Sequence, residues 1–273
     1  MRNGIAYHMA GTYPCMEPLT EILDSAVSRA VSGRRAAVAF SGGLDSGLIA
    51  YLAKLHADSV TLYTVGTEGS YDVRASEDMA SRLDADWVFI ELDEETAMAS
   101  LSEAVSVTGT VDPVTLSFET PLACVLGRCV EDLVLTGQGA DEVFAGYSKY
   151  LDLDHPGFRA KQAEDLVRLR DVTLVHERLM AEHHGKTAAY PFLDPSVVAY
   201  GASLGPEILP QGELRKHALR SAAEDLNLPF VASKTKKAAQ YGSGAMQLFR
   251  RISKKRGQSF NELIIGLQNQ QHT

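Results

Sequence analysis

Three short apolar runs, AAVAF at 36–40, SVTLYTVG at 59–66 and DWVFIEL at 86–92, alternate with segments whose apolar residues recur at helical spacing. Each run is long enough to cross a buried sheet and too short for a helix of ordinary length. A helix between consecutive strands forces them to run parallel, and a parallel sheet must be covered on both faces. The chain is therefore restricted to the α/β class: a parallel twisted sheet with helices on both faces. The spacing of Leu19, Ile22, Leu23, Ala26, Val27, Ala30 and Val31 predicts a helix closed by Gly33. Further helices are expected over GLIAYLAKL, from near Val73 in VRASEDMASRL, and from Glu94 to about Val107. TGTVDPVTLSFET reads as a loop leading into the apolar PLACVLGRCV, and EDLVLTGQG at 131–139 as another strand ending in a glycine turn. From Leu151 to His184 the chain is charged and helical without clear strands, and is expected to cover the open end of the sheet. YPFLDPSVVAYGASL, ELRKHALRSAAEDL and SGAMQLFRRI continue as helices broken by Pro and Gly. The expected organisation is one domain over 1–273, with a sheet core at 17–150 and a mostly helical region at 151–273 completing the site.

Composition narrows the partners. The net charge of −9 and the absence of a concentrated basic patch, apart from Lys254, Lys255 and Arg256, argue against nucleic acid. Cys15, Cys124 and Cys129 are odd in number and form no C-x-x-C pair, which fits reduced thiols in a cytoplasmic protein. No segment approaches the roughly 20 apolar residues of a membrane span, and the first residues lack a signal-peptide core.

The stretch FSGGLDSGL, Phe40 to Leu48, carries the chemistry. It leaves a strand at its carboxyl end, where open parallel sheets bind ligands, and enters a helix whose first N–H groups attract anions. Gly42 and Gly43 let backbone approach a phosphate, and Ser41 and Ser46 add hydroxyls. The Walker pattern is absent, because no Lys follows the glycines. An aspartate in a phosphate cradle is out of place unless a divalent metal stands between Asp45 and the phosphates. Helix capping by Ser41 and Asp45 is the bland alternative, and it does not account for both serines, both glycines and the aspartate together.

S-G-G-L-D-S after a strand resembles the pyrophosphate loop of the ATP pyrophosphatase (adenine nucleotide alpha hydrolase-like) superfamily. TGQGADEVFAGY at 136–147 resembles the S-G-E-G-A-D-E-x-x-G-G-Y signature of the synthetase domain of asparagine synthetases. PFLD at 191–194, RKHALR at 215–220 and SKTKKAAQYGSG at 233–244 match later blocks in order. The resemblance implies an AMP-forming, amide-forming ligase that uses ATP and Mg2+. Carried over by position, it implies pyrophosphate binding by Ser41, Gly42, Gly43, Leu44, Asp45 and Ser46, and adenosine contacts by Ala39, Val65, Thr136 and Gly137. It implies magnesium at Asp45 and Asp141, and an acyl-phosphate contact from Lys236, with Lys237 as the neighbour an unaligned cluster leaves open. Aspartate is the lead carboxylate and ammonia the lead amine.

Three departures qualify this. Gln138 stands where the signature has Glu, and an amide cannot be a general base. Thr187 to Tyr190, TAAY, replaces the family's E-x-R-V; Asp171 and Glu177 are the nearest acidic substitutes, and ion pairing with Arg170 and Arg178 is the expected role of both. The synthetase blocks begin within the first few tens of residues, so no glutaminase domain is expected before them, and free ammonia, a separate ammonia-delivering protein or another amine is expected to serve. Self-association is left open. A tRNA-modifying ATP pyrophosphatase and a nucleotide-binding partner subunit without turnover are the alternatives. His183 and His184 read as solvated, Trp87 as core, and Tyr147 and Tyr150 as packing beneath the ADE turn.

Overall fold

The computed structural model describes residues 17–209, 214–234 and 242–270. Cys15 and Lys236 lie outside the described residues.

Helix α1 (Leu19–Val31) buries Leu19, Leu23, Ala26, Val27 and Val31 along one face, as the spacing predicts. Strand β1 (Arg35–Ala39) follows, with Ala36, Ala37 and Val38 fully buried. Then come α2 (Leu44–His56), β2 (Ser59–Gly66), α3 (Tyr71–Arg82) and β3 (Asp86–Glu91). These crossovers lay β2 and β3 on one side of β1, all parallel, with Val38 opposite Leu62 and Leu62 opposite Trp87. Trp87 is half-buried against the core, and its indole N–H donates to Thr64 Oγ1 at 2.9 Å.

Helix α4 (Glu94–Thr108) is capped by Asp93, whose Oδ1 accepts from the Thr96 N–H at 2.7 Å, and ends at Gly109 in the left-handed region. The segment expected to be a loop is mostly helix. Helix α5 (Pro113–Arg128) starts with Asp112 as N-cap and Pro113 in its first turn, and it runs through Pro121. Proline is tolerated at a helix start because that N–H has no intrahelical partner. The N-cap and first-turn proline were thus start signals within a segment whose threonines pointed to a loop.

Strand β4 (Leu133–Leu135) pairs with β1 on the side opposite β2. Helices α6 (Ala140–Val143), α7 (His155–Arg168) and α8 (Leu174–His183) follow, α7 and α8 being joined by a π-helical turn at Leu169–Thr173. Strand β5 (Thr187–Ala189), the TAA of TAAY, then adds a fifth parallel strand beside β4. No strand was expected there, because its three small residues carry no apolar run. The sheet order is β3-β2-β1-β4-β5, and its edge strand comes from the segment beyond residue 150.

Helices α9 (Pro195–Ser203), α10 (His217–Asp225), α11 (Pro229–Ala232), α12 (Ala245–Lys255) and α13 (Phe260–Gln270) complete the layers. One apolar core packs α1, α2, α10 and α11 against one face of the sheet, and a second packs α4, α5, α12 and α13 against the other. Among the described residues no helix is long and apolar enough to cross a membrane.

Candidate active site

Strand β1 has β2 on one side and β4 on the other, so the chain leaving β1 and the chain leaving β4 go on to strands on opposite sides of the sheet's centre. The crevice at their carboxyl ends is where an open parallel sheet can hold a ligand without disturbing its ladder. A cavity of about 640 Å³ opens there. Its walls include Ala39, Ser41, Gly42, Gly43, Leu44, Asp45 and Ser46 from the first turn, Val65 from β2, and Thr136, Gly137 and Asp141 from the second. Every site residue expected from the sequence that lies among the described residues is therefore brought to one place.

Gly43 is the N-cap of α2 and no side chain caps it. Ser41 and Asp45 therefore do not serve as caps; the Ser46 hydroxyl instead accepts from the Ser41 N–H at 3.3 Å and lies 3.3 Å from the Ser41 hydroxyl. The first turn of α2 thus presents backbone donors to the cavity. Gly42 has φ +67°, and a Cβ there would run into the backbone of Ala75 and Ser76 at α3. Left-handed strain and a collision with backbone add, so Gly42→Ala is expected to cost roughly 2–4 kcal/mol and to abolish nucleotide binding. Denaturant unfolding and nucleotide titration of the variant check this; unchanged binding would show that the loop does not need the tight approach.

The second turn, with Gly139 at φ +91°, brings Asp141 opposite Asp45. Between them lies Lys216, the N-cap residue of α10, only 4% exposed and at φ +61°. Its Nζ donates to Asp45 Oδ2 at 2.6 Å and stands 2.7 Å from Asp141 Oδ1. Burial opposes the Lys216 charge, but the two facing carboxylates outweigh it and hold its pKa above the ordinary lysine value. Gly146 closes the arrangement, since a Cβ there would strike the Asp141 carboxylate and the Lys216 stem. No role was read for Lys216 from the sequence, although it stands within the quoted RKHALR block.

The buried Asp45 Oδ1 has no hydrogen-bond partner. Two carboxylates from two turns, one with a buried oxygen unsatisfied, form a hard oxygen donor set that fits a magnesium ion. Lys216 supplies positive charge at the same point.

Gln138 also lines the cavity, and its Nε2 donates to Glu177 Oε1 at 2.5 Å. Here the expected ion pairing separates. Asp171 does pair with Arg170, at 2.6 Å on the surface. Glu177 does not pair with Arg178: it is 2% exposed, lines the cavity from α8, and Arg178 instead lies over the Tyr190 ring. Burial drives the Glu177 carboxyl up to about 7, with the hydrogen bond from Gln138 and the nearby Tyr190 opposing the rise and the Glu142 charge adding to it. Behind it, Glu119 from α5 is 1% exposed and meets His176 Nδ1 at 2.8 Å. Burial, then the charges of Glu177 and Asp112, push Glu119 up to about 8, while burial pushes His176 down. Both directions favour the neutral forms, so the Glu119–His176 contact is a neutral hydrogen bond rather than an ion pair.

Tyr147 lines the cavity and its hydroxyl donates to Glu142 at 2.7 Å, whereas Tyr150 is fully buried, donates to Asp165 at 2.6 Å and packs on Phe158. His184 bonds Glu103 at 2.7 Å across α4, and with His183 these form a three-residue cluster that no spacing in the sequence reveals.

The family profile described as Asparagine synthase matches residues 18–168 and 154–263. The chain belongs to the asparagine synthase family. A putative glutamine-hydrolyzing asparagine synthetase of Methanocaldococcus jannaschii is 29% identical over 88% of this chain and 52% of its own length. The glutamine-hydrolyzing asparagine synthetase of Homo sapiens is 28% identical over 73% of this chain and 38% of its own. The chain thus spans about half or less of the length of these relatives. Among solved structures, an NMN synthetase from Francisella tularensis aligns over 93% of both chains at a TM-score of 0.46 and 13% identity. Gln138 lines the cavity beside Glu177, and Tyr190, directly after β5, lies close to Glu177.

Proposed function

We propose that this chain is an ATP- and magnesium-dependent, AMP-forming ligase that converts a carboxylate to an amide. A carboxylate oxygen attacks the α-phosphorus of ATP; the bond to the β-phosphate oxygen breaks and pyrophosphate leaves. A nitrogen nucleophile then attacks the acyl carbon of the adenylate, and AMP departs with the electron pair of the broken C–O bond. Aspartate and ammonia are the lead substrates.

The observation that carries this reading is the convergence of Asp45, Asp141 and Lys216 beside the uncapped start of α2. Backbone N–H groups and the serines of the loop bind the leaving pyrophosphate, and Lys216 neutralises its growing charge. Asp45 and Asp141 would hold magnesium, which when bound adds charge neutralisation to the leaving group. Ala39, Val65 and Thr136 offer the nucleoside a wall of strand ends. The sequence block containing Lys236 is assigned the acyl-phosphate contact by family likeness.

Incubation with ATP, magnesium, aspartate and isotopically labelled ammonium, followed by chromatography and mass spectrometry, tests the proposal. AMP, pyrophosphate and labelled asparagine are expected together. AMP and pyrophosphate without asparagine would keep the ligase chemistry and reject ammonia as the nitrogen source. ATP binding without any turnover across a panel of carboxylates would instead favour a nucleotide-binding subunit.

A further inference from the structure

Helix α4 gives Leu101, Ala104 and Val105 to the second core, and α8 gives Met180 and Ala181. At the outer end of that seam three ligand-type side chains come together: Glu103 from α4, His183 as the last residue of α8, and His184 as its C-cap. None of them lines the Asp45–Lys216 cavity. One donor atom from each lies within 4.8 Å of the other two. His184 Nε2 is 2.7 Å from Glu103 Oε1, and both residues are half-buried. His183 is exposed, its ring edge-on to His184 with the centroids 5.1 Å apart. The backbone beneath them is pinned. The N–H groups of His184 and Lys186 both donate to the Ala181 carbonyl, at 3.1 and 2.8 Å, and Gly185 closes the turn at φ +65°. Lys186 Nζ ties the same turn to the carbonyls of Cys129 and Glu131, at 2.8 and 2.9 Å. A Cβ at Gly127 would stand 3.4 Å from His184 Cε1 and 3.7 Å from Nε2. The glycine therefore leaves that side of the imidazole open, beside a depression of about 210 Å³ lined by Ser100, Glu103, Cys124 and Gly127.

We propose that Glu103, His183 and His184 bind a zinc-class divalent ion that clamps α4 to the turn between α8 and β5. A helix-to-helix hydrogen bond accounts for Glu103 and His184, but it needs no second imidazole at the same point. Two imidazoles and a carboxylate are a donor set that zinc takes, with water in the fourth position. Magnesium prefers six oxygens, so the site differs in kind from the one formed by Asp45 and Asp141. A tetrahedral zinc holds neighbouring donors roughly 3.3 Å apart. The Nε2–Oε1 pair has to open slightly and the His183 nitrogen to move in, and side-chain rotation supplies both. The proton shared by His184 Nε2 and Glu103 passes to solvent as the ion binds. The open side at Gly127 is where the bound water would stand.

Calorimetric titration of zinc chloride into the whole protein tests this, with wild type beside Glu103→Gln, His183→Ala and His184→Ala. Excess magnesium is present throughout, since it fills oxygen donor sets and competes poorly for imidazole. The wild type is expected to bind zinc at the cluster, and each substitution to weaken that binding by about tenfold or more. Zinc at a hundred times its dissociation constant is expected to raise the melting temperature by about 5–10 °C, and the rise to disappear in all three variants. Cobalt in place of zinc is expected to give the visible absorption of a tetrahedral complex in the wild type and not in the variants. His183 is exposed, so His183→Ala tests the ligand set without disturbing the packing of α8. No saturable zinc binding, or an affinity that any one of the three substitutions leaves unchanged, would overturn the proposal. None of these readouts uses turnover, so the clamp and the ligase reading stand or fall separately.

Discussion

Lys216→Met is expected to lower pyrophosphate release by about a hundredfold or more and the melting temperature of the metal-free protein by roughly 10 °C, with added magnesium restoring part of the stability but not the activity. The loss of stability follows from the two carboxylates that Lys216 holds, at 2.6 Å and 2.7 Å. Deleting one partner of a buried ion pair leaves charge without compensation and costs about 3–5 kcal/mol. For a chain of this size each kcal/mol is worth about 2–4 °C. Methionine keeps most of the stem volume, so the change reports charge more than packing. Magnesium at Asp45 and Asp141 can replace the lost counter-charge in the folded state, which stabilises by mass action. It cannot replace a donor held at a fixed point beside the pyrophosphate, and removal of one such donor costs about a hundredfold or more in rate. A melting temperature indifferent to magnesium would remove the two aspartates from consideration as metal ligands, and retained turnover would remove Lys216 from the leaving-group site.

Glu119→Gln is expected to raise stability at pH 8 and to leave it nearly unchanged at pH 5. The folded protein holds the Glu119 proton up to about pH 8 and the Glu177 proton up to about pH 7, against an ordinary value of 4.5. Between 4.5 and those values the folded state binds more protons than the unfolded chain, so stability falls as pH rises. Each group contributes up to about 1.4 kcal/mol per pH unit, and even a fraction of that over the window amounts to a few kcal/mol. Glutamine keeps the shape and a hydrogen bond to His176 without the charge. Denaturant midpoints of wild type and variant at pH 5, 6.5 and 8 read the effect directly. Destabilisation of equal size at all three would mean that Glu119 and His176 are an ion pair after all.

The Asp45–Asp141 end of the cavity was legible because its signals are local. In FSGGLDSGL and TGQGADE the backbone conformation, the donors and the carboxylates lie within a few residues of one another, and the strands leading into both are apolar runs. The other end was not legible for the opposite reason. Lys216 reaches Asp45 across 171 positions, and Glu177 reaches Gln138 across 39. Neither pairing leaves a spacing rule in the chain, and Glu177 beside Arg178 imitates an ordinary surface pair. Strand β5 escaped because Thr187, Ala188 and Ala189 gain their place from pairing with Leu133, Val134 and Leu135 rather than from their own hydrophobicity.

The two apolar cores on opposite faces of the sheet also divide the labour of the cavity. Asp45 stands on α2, and Lys216 at the head of α10, within the layer that packs on one face. Glu119 stands on α5, in the layer across the sheet, and His176 and Glu177 on α8 pack with it. Gln138 hands over from one side to the other. Sequence drift in α5 and α8 can therefore reshape the Glu177 end of the cavity while the Asp45–Lys216 end keeps its own foundation, so that a single scaffold can diversify at one end of its cavity and stay constant at the other.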